Sequence, residues 1–354
     1  MATVSPHPIR PSSLAHSSLA PHPIRPSPLA PFSICPLSKT TPTFLPMNRG
    51  THDSLADTRN DDILISINGE TFPRDEAKIS VFDSGYLVGD GVWEGLRLHE
   101  GVFVFLEDHL NRLFEGAKMS FLDIGKTKEE LTQMLHQAVA ANNMEDGVHV
   151  RLMITRGNKK TPSQDPRLTV SPPNIVIIPE YKTANPEVRK QGVRLFTSAI
   201  RRGSPDYLDP RLNCHSKLHE VIALSQALKA GADEALMLDI NGFVSTCNAT
   251  NFFIVRNNEV WTSSGNYCMN GITRAKVIEV CRGKGIPVFE KDFSLYDVYS
   301  ADEVFVTGTF GGLTPVIEVD GQSIDSETVP GQLTQTLSVL YNECIQNYIQ
   351  SVKA

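Results

Sequence analysis

Residues 211–255 read RLNCHSKLHEVIALSQALKAGADEALMLDINGFVSTCNATNFFIV, and the rest of the chain can be placed around them. The first half reads as a helix. Leu218, Val221, Ile222 and Leu228 recur at helical spacing, Ala223 and Ala227 permit close packing, and Gly231 stops the run. The second half reads as a hairpin. Ala235 to Leu238 is a short apolar strand, Asn241-Gly242 suits a type I′ turn, and Phe252 to Val255 is the β-rich return. Lys217 stands just before the helical run, while Ser245, Thr246, Asn248, Thr250 and Asn251 make the return limb polar.

An amine with an anion-friendly loop downstream suits a bound aldehyde phosphate, and the flanks offer further anion ligands. Downstream, Met269 to Arg274 leads into a helix through Cys281, whose first amides at Ile272 and Thr273 are free for an anion. Glu303 to Val306 is a strand ending in the loop TGTFGG, residues 307–312, which also presents several amides. Upstream, IRRGSPDYLDPRLN is a polar loop, and Val193 to Ser198 opens a second domain. The segment PEYKTANPEVRKQG places an interdomain linker near residues 180–192.

The first domain opens on Ile63 to Ile67 with Asn68-Gly69, a strand and hairpin turn. Gly85, Gly89, Gly91 and Gly95 punctuate the next stretch around Tyr86, Trp93 and Glu94, where the backbone can approach a ligand. Val102 to Phe105 reads as strand, Leu106 to Met119 as a helix carrying Arg112, Lys128 to Asn142 as a second helix, and Ile175 to Ile178 as buried strand. The strand from His149 runs into a loop at Arg156. A surface ion pair is the ordinary fate of an arginine on a helix or loop, so neither arginine is diagnostic alone.

Residues 1–58 are Pro- and Ser-rich, repeat PHPIRPSSLA as PHPIRPSPLA, and hold no acid before Asp53. Such a leader is expected to be disordered and resembles an organellar transit peptide, for which a plastid address fits best because the prolines oppose an amphipathic helix. An untargeted tail is the alternative, with cytoplasm or mitochondrion as the other compartments. The chain of 354 residues is 40% hydrophobic and 21% charged with a net charge of −7, an ordinary globular composition without a basic face for nucleic acid. No apolar run reaches membrane-spanning length. Its six cysteines show no CxxC spacing, which argues against a zinc site or disulfide framework.

Five ordered runs carry a resemblance: VFDSGYLVGDGVWEGLR, EDHLNRLFEGAK, NGFVS followed by NATNFFIV, NGITRAKVIEV, and ADEVFVTGTFGGLTPV. Together they resemble the class IV, or fold type IV, pyridoxal-phosphate aminotransferases over residues 62–345, a group that includes branched-chain and D-amino-acid aminotransferases and aminodeoxychorismate lyase. The resemblance implies an α+β, two-domain architecture. A small α/β domain would span residues 62–182, and a larger cofactor domain with a β-barrel-like core residues 190–354. It also implies pyridoxal 5′-phosphate as cofactor, amino-acid and 2-oxo-acid substrates, and a homodimer. Arg112 matches the phosphate-pairing arginine, Ile272 and Thr273 the phosphate-cupping amides, and Thr309 a phosphate-binding hydroxyl. Asn248 falls in the cofactor-binding polar segment. Tyr86 and Trp93 match aromatics at the substrate, and Arg156 is a candidate for a substrate carboxylate.

Two positions depart from the family pattern. Aligned without a gap, the family's cofactor-linking lysine falls at Asn213, and Lys217 lies four residues on, about 6 Å along a helix axis. The family's glutamate on the pyridine nitrogen falls at Thr246, which carries no charge to hold that nitrogen protonated. The resemblance therefore implies either an aminotransferase using Lys217, or a noncanonical lyase-type or inert relative that binds the cofactor, or another phosphorylated ligand, without the usual lysine.

Overall fold

The computed structural model describes residues 50–354. The leader expected over residues 1–58 lies, up to residue 49, outside them. The remainder of that span is not leader-like. Thr51 is buried, Ser54 forms an isolated antiparallel bridge with Ala184, and Thr58–Asp62 is a 3-10 turn capped by Asp57. Residues 50–58 thus belong to the packed chain.

A first sheet is built from β1 (Leu64–Ile67), β2 (Glu70–Pro73), β3 (Gly91–His99), β4 (Val102–Phe103), β5 (Val148–Thr155) and β6 (Asn174–Tyr181). Its order is β2-β1-β6-β5-β3-β4 with every neighbour antiparallel. The β1–β2 turn has Asn68 and Gly69 both at positive φ, as a type I′ turn requires. Three helices accompany this sheet: α1 (Ser84–Val88), α2 (Leu106–Met119) and α3 (Lys128–Ala140). Leu110, Leu113, Leu131 and Leu135 of α2 and α3 pack with Leu96, Leu98, Val150 and Leu152 of the sheet into one core. The strand expected over Val102 to Phe105 stops at Phe103, because Phe105 turns left-handed (φ 54°) to start α2.

After α4 (Pro186–Gln191) the second half begins. Its strands are β7 (Val193–Thr197), β8 (Glu234–Leu238), β9 (Val244–Cys247), β10 (Asn251–Arg256), β11 (Glu259–Thr262), β12 (Val288–Glu290), β13 (Glu303–Gly308), β14 (Gly312–Val319) and β15 (Gln322–Ser323). They form a second sheet ordered β12-β11-β10-β13-β14-β7-β8-β9, with β15 on β14. Ser263, just past β11, donates to the Ser245 carbonyl of β9 at 2.7 Å, so the sheet curls back toward its own start like part of a barrel. Its helices are α5 (Leu218–Lys229), α6 (Ile272–Gly283), α7 (Leu295–Tyr299) and α8 (Gln332–Lys353). Strand β10 is buried on both faces. Phe252 and Ile254 enter one core with Leu195 and Val304, while Phe253 and Val255 enter another beneath α6 and α8. This explains its unbroken apolar run.

The 211–255 stretch differs from its sequence reading in three ways. The return limb is β9, and Phe252 to Val255 belongs to the following strand. The turn at Asn241-Gly242 is not type I′, since only Gly242 has positive φ. The Gly242 amide bonds to the Asp239 carbonyl, and Asp239 Oδ1 accepts from Asn241 and Phe243, giving a longer turn with glycine in the left-handed position. Helix α5 buries its small face. Ala223 and Ala227 pack on Ala235 and Met237, whereas Leu218, Val221, Ile222 and Leu228 are exposed.

Candidate functional site

The segment before α5 is fastened to β3. Trp93 N donates to the Asn213 carbonyl (3.1 Å), Asn213 Nδ2 to the Trp93 carbonyl (2.6 Å), and His215 N to the Gly91 carbonyl (3.0 Å). The Trp93 indole N–H also reaches the Cys214 carbonyl at 3.1 Å. Residues 213–215 therefore run as an added strand against β3, joining the two halves of the chain. This pairing sets Lys217 as the residue that opens α5 and turns it toward the space between the sheets.

That space is a cavity of about 460 Å³. Lys217, Arg112, Thr246, Asn248, Ile272, Thr273, Thr309 and Trp93 all line it, so most residues singled out in the sequence meet there. Tyr86 does not line it. It is largely exposed, on a neighbouring cavity that shares Trp93, Arg151 and Lys217. Arg156 is a correction. Its guanidinium clasps Asp90 at 2.7 and 3.1 Å and donates to the Phe121 and Ser120 carbonyls, so it is committed to structure and lines neither cavity.

One end of the cavity gathers donors that could hold a phosphate. Helix α6 starts at Gly271 with no side-chain cap, and the amides of Ile272 and Thr273 have no partner among the described residues. Arg112 comes from α2. Its Nε and Nη2 grip both oxygens of Glu94 at 2.8 and 2.7 Å, leaving Nη1, which touches the Asn270 carbonyl at 3.2 Å, toward the α6 terminus. Burial pushes the Glu94 carboxyl up, but Arg112 and His109 outweigh it and hold the group down to about 2. Asn251 Nδ2 fixes the loop before α6 through the Met269 carbonyl, and a Cβ on Gly271 would collide with Asn251 Oδ1. Thr273 Oγ1 meets the Tyr341 hydroxyl at 3.3 Å.

The amine end is a charged cluster. Lys217 Nζ lies 3.5 Å from Glu220 Oε1, which also accepts from Arg202 Nη1 at 2.8 Å. Burial draws the Lys217 pKa down, and Glu220 offsets part of that. Glu220 itself is raised by burial but brought down to about 2 by His219, Lys217 and Arg202. Asn213 Oδ1 and Thr307 Oγ1 are buried on this cavity without hydrogen-bond partners among the described residues. Thr246 Oγ1 donates to the Thr250 carbonyl at 2.7 Å, so its one hydrogen is spent inside the loop.

Several lining residues carried no sequence signal. Arg151 on β5 stacks over Trp93 at 4.1 Å and forms no ion pair among the described residues. His149 faces the cavity with its pKa pulled well below the usual value, by burial first and then by Lys182 and Arg97. Both reach the site through sheet register, Arg151 opposite Gly95 and His149 opposite Arg97. Strand alternation could have put them on the Trp93 face, but nothing local marked them as functional.

This geometry can be set beside known proteins. Residues 91–319 match the family described as Amino-transferase class IV. The chain is 38% identical over 292 residues to branched-chain-amino-acid aminotransferase-like protein 2 of Arabidopsis thaliana, covering 82% of this chain and 52% of that one. The chain thus spans about half the length of the Arabidopsis relatives it matches. A D-alanine aminotransferase of Listeria monocytogenes is 34% identical over 263 residues, with 73% and 89% covered. Among solved structures, a T.th. branched-chain amino acid aminotransferase with pyridoxamine 5′-phosphate superposes with a TM-score of 0.75 at 28% identity, over 81% of this chain and 95% of that one. The fold, the α6 terminus facing Arg112 and the match over residues 91–319 agree: the chain belongs to the class IV aminotransferases.

Proposed function

We propose that this chain is a pyridoxal-phosphate-dependent aminotransferase that moves an amino group between an amino acid of the branched-chain or D-amino-acid class and a 2-oxo acid. One observation carries the reading: Lys217 shares a cavity with Arg112, the open amides of Ile272 and Thr273, and Thr309. Those groups fit a phosphate, and the single lysine lining the cavity among the described residues supports reading Lys217 as the amine that meets the aldehyde. Bound there, the cofactor would supply an electron-withdrawing ring. Arg112 and the α6 amides hold its phosphate. Lys217 Nζ takes the proton from the substrate α-carbon and returns it. Burial makes that amine easier to deprotonate, and Glu220 orients it. Arg151, stacked on Trp93, has donors to offer a substrate oxygen. Thr246 brings no charge to the ring, which implies slower proton abstraction than a carboxylate there would give.

A second reading is favoured by Asn213: a relative that binds the vitamer without a covalent link, its lysine kept by Glu220. Borohydride reduction followed by peptide mapping separates the two. The cofactor is expected on the peptide containing Lys217, and Lys217→Ala should abolish the label. Fully dialysable vitamer and no labelled peptide would establish the second reading. We further propose a homodimer, with the exposed apolar face of α5 at its interface, and a plastid address for the leader, which import of the full chain into isolated plastids tests.

A further inference from the structure

The chain ahead of β1 enters the cavity. Thr51 is buried, and its amide and hydroxyl both donate to Glu234 Oε1, while Glu234 Oε2 accepts from Thr250 Oγ1 at 3.0 Å. Asp53 is tied to Asn185, by the side chains at 2.9 Å and by its carbonyl to the Asn185 amide at 3.2 Å. Between these anchors His52 lines the cavity with its ring stacked on Phe310, centroids 6.3 Å apart.

The anchors fix the tautomer of His52. The Thr51 hydroxyl hydrogen goes to the Glu234 carboxylate, so toward His52 Nδ1, 3.2 Å away, that oxygen can only accept. Nδ1 therefore carries the ring hydrogen, and Nε2 is a lone-pair acceptor to which nothing donates among the described residues. Burial lowers the pKa of the ring most, Glu234 opposes it, and Lys182 and Arg151 add to the lowering, so the ring is neutral at neutral pH. Arg151, a donor without an ion-pair partner among the described residues, lines the same cavity.

We propose that His52 is a specificity-determining residue which, with Arg151, reads a side-chain carboxamide on one of the two substrates. The amide oxygen accepts from Arg151 and the amide N–H donates to Nε2. A carboxylate in that place sets its lone pairs against Nε2 and binds only by bringing a proton from solvent onto the ring. This rests on the reading of the cavity as an amino-acid site, and its test needs no turnover and no stereochemical assumption.

The purified full-length protein is titrated by calorimetry with glutaramate, glutarate and 4-methylvalerate, which lack the amino group. Glutarate binding should take up a proton, seen as heat that varies with buffer ionisation enthalpy, whereas glutaramate binding should not. His52→Phe keeps a ring on Phe310 but removes the acceptor. It should weaken glutaramate roughly tenfold, abolish the proton uptake with glutarate and leave 4-methylvalerate unchanged. Thr51→Val, which frees the tautomer, should reproduce part of the glutaramate loss. Buffer-independent glutarate heat, an unchanged glutaramate affinity in His52→Phe, or no binding of either acid by the wild type overturns the proposal. The borohydride label on Lys217 can succeed or fail independently of all three.

Discussion

Glu94 shows how one carboxylate can serve a site it does not line. It is fully buried, yet Arg112 and His109 hold it ionised, and it aims the guanidinium at the α6 terminus. Glu94→Gln removes the charge but not the shape. It should cost about 3 kcal/mol of stability, read from urea unfolding, because Arg112 is left without its countercharge. Vitamer affinity should fall with it. Arg112→Lys tests the same pairing from the other side: a point charge cannot span both Glu94 oxygens and a phosphate, so vitamer affinity is expected to drop roughly tenfold or more by fluorescence titration. Arg112 was legible in the sequence because it sits in a contiguous motif. Glu94 was noted only among glycines, and its role depends on a contact between strand and helix that periodicity does not encode.

Helix α5 is the element whose span and close-packed alanines were legible and whose full facing was not. Ala223 and Ala227 pack on Ala235 and Met237 as their size suggests, while the large apolar residues at helical spacing are exposed. Ala227→Leu is expected to overpack that contact at a cost of about 1–3 kcal/mol, measured by denaturant midpoint. Ile222→Lys should leave the monomer's midpoint nearly unchanged and instead shift sedimentation toward the monomer if a second copy covers this face. Helices α2 and α3 were legible because their apolar spacing and their packing agree. Strand β9 was not, because Val244 to Cys247 is buried on both faces while two of its four residues carry hydroxyls, Thr246 donating to the nearby Thr250 carbonyl and Ser245 to the distant Tyr267 carbonyl. The residues proposed to hold a phosphate could be read from short local motifs. The part of the lining made by Arg151, His149 and His52 is assembled by strand register and by chain lying before the first strand.

At the scale of the molecule, two buried carboxylates, Glu94 and Glu220, are paired with cations, and acid should expose this. Glu94 and Glu220 both titrate near 2 in the folded chain against an ordinary value of 4.5. Their stabilisation is complete above about 4.5 and is lost as pH falls toward 2. The urea midpoint should therefore decline through that window, and the decline should be shallower in Glu94→Gln; a midpoint flat from pH 5 to pH 2.5 would contradict the pairing. The bonds that fasten residues 213–215 to β3 have a mechanical consequence. Asn213→Lys would remove only the bond from Asn213 Nδ2 to the Trp93 carbonyl, because the Trp93 amide donates to the main-chain carbonyl at 213 and the His215 amide still reaches the Gly91 carbonyl. The seam between the two halves is stitched mainly by backbone, so it can outlast an exchange of the side chain at its start.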